Sequence, residues 1–297
     1  MVKLLAEHAP AKINLYLRVT GRRADGYHQL DSIFLPIAWS DSVRLESRPS
    51  NEARVNLICD SAAIADPASN LASRAAFAFM HEYAIAAEIL IDLRKHIPMG
   101  AGLGGGSSDA GAVLRMMAAV FDVPIDARLA SIAVKLGADV PFFLDPRPSR
   151  VRGIGEMIEP LSAMPRLHVL VVVPSIEVPT VSVFRALKPE NWSGPLDTSY
   201  LEAILAGRIS QQHLVNDLEA PAANLFPEIA RLKALLQEEG AIAAAMSGSG
   251  GAVFGIYTDA SAANQAAARI RARAPEARVR DVVTTDAAEL RGTPISG

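Results

Sequence analysis

Cysteine is almost missing from this chain. The single residue, Cys59, excludes an intramolecular disulfide and any metal cluster built on thiolates, and is expected to be a small buried hydrophobe. Long apolar runs are missing too: the longest, Leu167 to Val173, falls far short of the roughly 20 residues needed to span a bilayer. At the amino terminus, Glu7 and His8 interrupt Met1 to Ala6 before a signal-peptide core develops. Neither sign of charge is in large excess. A net charge of −3 leaves no general footprint for nucleic acid or an anionic membrane. Arg269, Arg271, Arg273, Arg278 and Arg280 are a local exception, expected to form a solvated helix face and a strand edge. These absences predict a soluble cytoplasmic protein with no nucleic-acid or membrane partner.

Glycine, in contrast, is concentrated. Pro98, Met99, Gly100, Ala101, Gly102, Leu103, Gly104, Gly105, Gly106, Ser107 and Ser108 place five glycines within seven residues. Such density fits a backbone with unusual φ/ψ demands, or a flexible linker. The flanks favour the first. Glu88 to Leu93 has the pattern of a strand, and Ala110, Val113, Leu114, Met117, Ala118 and Phe121 follow helical spacing. Ser107 or Ser108 is expected to cap that helix, with Asp109 in its first turn. A glycine loop that opens a helix aims backbone N–H groups and the positive end of the helix dipole at one point, an arrangement suited to phosphate. The loop lacks the lysine of a Walker-type motif. The match Gly100-x-Gly102-x-x-Gly105 is a weak dinucleotide signal, because Asp122 and Asp126 follow a helix directly instead of ending a strand.

Upstream, Lys12 to Val19 alternates as a strand with Ile13, Leu15, Leu17 and Val19 on one face and Lys12, Asn14, Tyr16 and Arg18 on a wet one. Lys12 and Asn14 therefore point the same way. A turn at Asp25-Gly26 leads to Tyr27 and His28, which could face a ligand or cover the edge of the core. Strands are expected at Leu30–Ala38 and Ser42–Arg48, and helices at Asp66–Ala84 and Ile125–Leu136. Asp139, before Val140-Pro141, could cap a short helical turn or act chemically. Prolines 146, 148, 160 and 165 mark an irregular stretch, which sets expected domains at 1–160 and 161–297. Beyond it, strands and helices follow in the order of an α+β domain, with a second glycine cluster at Ser247 to Gly251 between two strands.

Several stretches then agree in order with one family: Pro10-Ala11-Lys12-Ile13-Asn14-Leu15, Arg23 to His28, Pro98 to Ser108, Leu136 to Phe143, Asn216-Asp217-Leu218-Glu219 and Met246 to Gly250. Together they resemble the GHMP kinases, the group of galactokinase, homoserine kinase, mevalonate kinase and phosphomevalonate kinase. The resemblance implies an α+β fold of two domains, the first like domain 2 of ribosomal protein S5 and the second ferredoxin-like, with the active site between them. It further implies transfer of a phosphoryl group from ATP, with Mg²⁺, to the 2-hydroxyl of a cytidine-diphosphate-linked methylerythritol. That reaction is a step of the non-mevalonate route to isoprenoid precursors. A homoserine or mevalonate substrate is the alternative. By resemblance, Asp139 is the catalytic base and Lys12 its partner, and the loop Pro98 to Ser108 holds ATP with Asn70 and Lys95 nearby. Asn14, Tyr27, His28 and Thr180 would contact the substrate, and the Ser108 hydroxyl would lie near the metal. A monomer or weak homodimer is expected.

Overall fold

Strand-forming residues dominate the first fifty positions, and the chain uses them for two long antiparallel strands, β1 (Lys3–Arg22) and β2 (His28–Pro49). The two segments expected at Leu30–Ala38 and Ser42–Arg48 are parts of this one β2. Its register against β1 shifts at Pro10/Ala11, Asn14/Tyr16 and Val19/Gly21, and the shifts let so long a ribbon bend. In this computed structural model residues 2–61, 66–162 and 164–285 are described. Met1 and 286–297, the outer ends of the two expected domains, lie outside the described residues.

One edge of β2 is taken by β1. The other is shared: β4 (Ala87–Arg94) pairs with Ser42–Pro49, and β5 (Ser149–Gly153) pairs with Leu30–Phe34. Parallel to β4 runs β3 (Arg54–Cys59), and β6 (Met157–Pro160) pairs with β5. The stretch expected to be irregular thus contains a β5–β6 hairpin. Pro160 is tolerated there because β6 is an edge strand, where a missing N–H costs no ladder bond. Three helices cover the sheet. Helix α1 (Leu71–Glu82) starts at its cap Asn70, later than Asp66, which opens a turn instead. The other two are α2 (Gly105–Val120) and α3 (Ala127–Leu136), the latter capped by Asp126 and ended at Gly137. Val43, Leu45, Ile89, Ile91 and Leu93 meet Ala75, Phe79, Val113, Leu114 and Met117 in this core. Cys59, expected to be buried, is half-buried at the rim of the same core.

A second sheet, β7 (His168–Val173), β8 (Ala243–Met246), β9 (Val253–Tyr257) and β10 (Arg278–Val283), has the antiparallel order β10-β7-β9-β8. Around it lie α4 (Thr180–Ala186), α5 (Thr198–Leu205), α6 (Glu219–Leu225), α7 (Pro227–Glu238) and α8 (Ala260–Arg273). Ile229, Leu232, Leu235 and Leu236 of α7 and Ala266, Ala267 and Ile270 of α8 pack on one face. The other face, through Val169, Val171, Ala245 and Phe254, meets Ile13, Leu15, Ile33, Leu35 and Ile37 of β1 and β2. The expected wet face of β1 is dry as well: Lys12, Asn14 and Tyr16 are buried, and Arg18 alone of the four keeps partial exposure. The arginines of α8 do face water, where Arg269 and Arg273 pair with Glu239. Among the described residues, no helix is long and apolar enough to cross a membrane.

Candidate active site

The glycine loop joins β4 to α2 and is held by its own backbone. The Lys12 N–H donates to the Leu103 carbonyl at 2.9 Å, and the Ala252 N–H donates to that of Ala101 at 3.0 Å. Ala101 and Leu103 are buried, while the intervening glycines Gly100, Gly102 and Gly104 take φ values of +65°, +74° and +72°. At Gly102 the need is also spatial, because a Cβ there would lie 2.2 Å from the Ser247 carbonyl oxygen. Gly104, not Ser107 or Ser108, is the N-cap of α2, in the left-handed region and with no side-chain cap. The serines fall inside the first turn. Without a capping side chain, the first N–H groups of α2 are left to bind an anion.

This arrangement changes three expected contacts. Ser108 is fully buried, its hydroxyl has no hydrogen-bond partner among the described residues, and Ser107 lines the cleft in its place. Lys95 lies beneath the loop, paired with Asp41 and, at 2.6 Å, with Asp109. Burial alone would lower its pKa, but the two carboxylates outweigh that and raise it. Asp109, expected in the first turn of α2, is instead buried deeper in the helix. Burial pushes its pKa up to about 7 despite Lys95, with Asp41 adding to the rise. Asp41 also accepts from the His96 and Ile97 N–H groups at 2.5 and 2.8 Å, so the approach to the loop is pinned. Asn70 caps α1 by accepting from the Ala72 N–H at 2.9 Å.

Lys12 and Asp139 do come together. The Lys12 ammonium lies 3.6 Å from Asp139 Oδ2, donates to Asn14 Oδ1 at 2.6 Å and to the Gly102 carbonyl at 3.1 Å, and sits 4.7 Å from the centre of the Phe34 ring. Burial lowers the Lys12 pKa even though Asp139 acts in the opposite sense. Asp139 follows α3 and keeps a third of its side chain exposed. It does not cap the short 3₁₀ turn Pro141–Leu144, whose N-cap is Val140 with no side-chain bond.

These groups share a cleft of about 980 Å³ with the expected substrate residues. Lys12, Asn14, Gly102, Gly104, Ser107 and Asp139 line it, as do Tyr27, His28 and Thr180. Tyr27 is largely exposed. His28 stacks on Phe184 at 5.2 Å and meets the Trp192 ring edge-on at 6.1 Å. Burial, and then the Arg22 charge, lower the His28 pKa, so its imidazole is neutral near pH 7 and offers one donor and one acceptor. Thr180 Oγ1 and Ser249 Oγ are 2.8 Å apart. Arg22 and Arg185 bring two guanidinium groups to the same cleft.

Sequence reasoning did not assign roles to Phe184, Trp192 and Ser247. Ser247 Oγ donates to the Gly102 carbonyl at 3.0 Å and accepts from the Asn14 N–H at 3.3 Å, so the second glycine cluster docks on the first. Asn216 Nδ2 reaches the Met246 and Gly248 carbonyls, each at 2.8 Å. The signal was present in part, since Asn216 and Ser247 both lie in stretches that carried the resemblance.

Both halves of the chain match known proteins. Residues 70–145 match the model for the GHMP kinases N terminal domain, and residues 200–276 match that for the GHMP kinases C terminal domain. A 4-diphosphocytidyl-2-C-methyl-D-erythritol kinase of Azorhizobium caulinodans is 42% identical over 289 residues, covering 94% of this chain and 98% of its own. One from Thermus thermophilus is 39% identical over 267 residues, covering 89% and 92%. A crystal structure of 4-(cytidine 5'-diphospho)-2C-methyl-D-erythritol kinase superposes with a TM-score of 0.80 at 38% identity, covering 95% of this chain and 100% of that one. Homoserine kinase from Cytophaga hutchinsonii shares the fold, with a TM-score of 0.73 at 18% identity over 95% of each chain.

Proposed function

Because the chain belongs to the GHMP kinases, in the family of the 4-diphosphocytidyl-2-C-methyl-D-erythritol kinases, we propose that Asp139 and Lys12 carry phosphoryl transfer from ATP to the 2-hydroxyl of 4-(cytidine 5'-diphospho)-2-C-methyl-D-erythritol. The protein is an ATP-dependent small-molecule kinase of the isoprenoid precursor pathway. The observation that carries the residue assignment is the Lys12–Asp139 pair beside the glycine loop, with Asp139 the only carboxylate lining the cleft among the described residues.

The 2-hydroxyl is tertiary and weakly acidic. As its oxygen bonds to the γ-phosphorus and the bond to ADP breaks, Asp139 takes the proton. The Lys12 ammonium, fixed by Asn14 and the Gly102 carbonyl, stabilises charge on the reacting oxygens. The uncapped first turn of α2 and the loop amides hold the triphosphate. A Mg²⁺ ion carried by the nucleotide would supply neutralisation of the triphosphate charge. Among the described residues no group of three His, Cys, Asp or Glu able to cage an ion exists, so the fit to a metal rests on the Ser107 hydroxyl in the cleft. Ser107 offers the hydroxyl nearest that role. Tyr27, His28 and Phe184 suit a base, with stacking and one donor and one acceptor, and Arg22 and Arg185 suit a diphosphate. Lys95 and Asn70 act at the nucleotide through the framework they hold. A cytoplasmic location, where ATP is supplied, belongs to the same proposal.

Asp139→Ala is expected to bind ATP as the parent enzyme does and to lose turnover, read by ATP titration and steady-state kinetics side by side. An unchanged kcat would remove Asp139 from the mechanism. Assaying the cytidylated substrate against its uncytidylated phosphate, homoserine and mevalonate tests the substrate. Equal turnover of any of the latter would overturn the assignment.

A further inference from the structure

Between α4 and α5 the chain crosses over β1 and β2, and two buried carboxylates pin it there. Asp217 accepts from the Val19 N–H of β1 at 2.7 Å through Oδ2, and the same oxygen accepts from the Ser193 N–H at 2.9 Å. Its Oδ1 accepts from the Ser193 hydroxyl at 2.5 Å. The Asp217 backbone is itself tied to β1, because its N–H donates to the Leu17 carbonyl at 3.0 Å and the Leu17 N–H donates to that of Val215 at 2.7 Å. Three residues beyond Ser193, the Leu196 N–H donates to Asp31 Oδ2 at 3.0 Å. Asp31 is in turn held by Arg150, at 2.9 and 2.7 Å, and by the Tyr16 hydroxyl at 2.9 Å.

The residue just before the first pin is Trp192. Its ring lines the cleft and meets His28 edge-on, yet its indole N–H has no hydrogen-bond partner among the described residues. The ring is therefore placed by packing and by the backbone of Ser193, not by its own polar atom. A carboxylate as buried as Asp217 costs free energy unless its bonds are all made, so its three bonds fix the strap strongly.

We infer that Asp217 is a positioning residue for the nucleoside end of the cleft: by seating Ser193 on β1 it holds Trp192 against the His28–Phe184 shelf. The inference rests on the substrate reading above. Asp31 fixes the far end of the same strap, and neither carboxylate lines the cleft.

The test is a cycle of Asp217→Asn, Trp192→Ala and the double variant in the intact enzyme, with KM measured separately for ATP and for the cytidylated substrate. Either single change should raise the KM of the cytidylated substrate on the order of tenfold, as expected when a charged hydrogen bond or a packed ring is lost. The KM for ATP should stay within about twofold, and the double variant should be no worse than Trp192→Ala alone, because both changes remove one effect. Additive penalties, or an equal rise in the KM for ATP, would overturn the inference. Should Asp217→Asn fail to fold, Ser193→Ala carries the same cycle, since it leaves the bond to Val19 intact. A parent enzyme without preference for the cytidylated substrate would sink the substrate reading and this inference with it. Retained preference in Trp192→Ala, with an unchanged KM, would sink this inference alone.

Discussion

Burial acts on Lys12 more strongly than Asp139 does, and the lowered pKa has a direct kinetic consequence. The ammonium exists below that pKa and is lost as pH rises through it, so an alkaline loss of kcat/KM should begin below the ordinary lysine value of 10.5. Arginine stays charged throughout this range. Lys12→Arg should therefore lose the alkaline limb while turning over more slowly, and an unchanged limb would assign it to another group. The same shift bears on stability with a definite sign. Between the lowered value and 10.5 the unfolded chain holds the proton that the folded chain has released, so the contribution of Lys12 to stability rises with pH across that window. Asp31 works the other way. Burial would raise its pKa, but Arg150, the Leu196 N–H and the Tyr16 hydroxyl outweigh burial and lower it. Its contribution is present above 3.8 and fades as acid protonates it, which loosens the strap at low pH.

Among the elements, the glycine loop separates two demands that the sequence shows only as one dense run of glycine. Gly100 and Gly102 both need positive φ, but a Cβ at Gly100 would meet nothing within 4 Å, whereas one at Gly102 would strike the Ser247 carbonyl. Gly100→Ala should cost about 1–2 kcal/mol, the left-handed penalty alone. Gly102→Ala should cost more and also raise the KM for ATP, because the two glycine clusters must part. Urea unfolding beside ATP kinetics checks both, and equal effects at the two positions would refute the docking argument. This contrast also marks what the sequence could show. Strand β4, helix α2 and the shared direction of Lys12 and Asn14 follow from local periodicity, and the structure keeps them. The cap at Gly104 was not legible, because serine is the usual capping residue and the left-handed turn depends on contacts with Lys12 and Ala252. Nor was the dryness of β1, whose outer residues alternate as a solvated face would. Lys12 is covered by the Gly102 carbonyl, Asn14 by Ser247, and Tyr16 by Asp31 with Arg150, all of them distant in the chain except Asp31, and no window of neighbouring sequence contains that information.

For the whole molecule, the interface between the two sheets decides whether the halves can be separated. A division at 160/161 follows the strands, since β6 ends at Pro160 and β7 begins at His168. It does not follow the core. Ile13, Leu15, Ile33, Leu35 and Ile37 are fully buried against the second sheet, and removal of residues 161–297 would bare them all. Each is worth roughly 1.5–3 kcal/mol when buried, so together they match the ~5–15 kcal/mol net stability of an ordinary domain. The cut would also release the Val19 N–H from Asp217 and the Asn14 N–H from Ser247, and leave the Ala101 carbonyl without Ala252. A chain of residues 1–160 is therefore expected to bind a hydrophobic dye, to lack a cooperative melting transition and to bind no ATP, even though every residue of the glycine loop is retained. A cooperative transition together with ATP binding in that fragment would show that the loop is organised by its own strand and helix alone. The full chain should behave in the opposite way, with a nucleotide analogue at a hundredfold excess over its Kd adding about 2.7 kcal/mol to the stability of both sheets in one transition. Two calorimetric transitions, only one of them shifted by the analogue, would mean that the second sheet does not share in holding the loop.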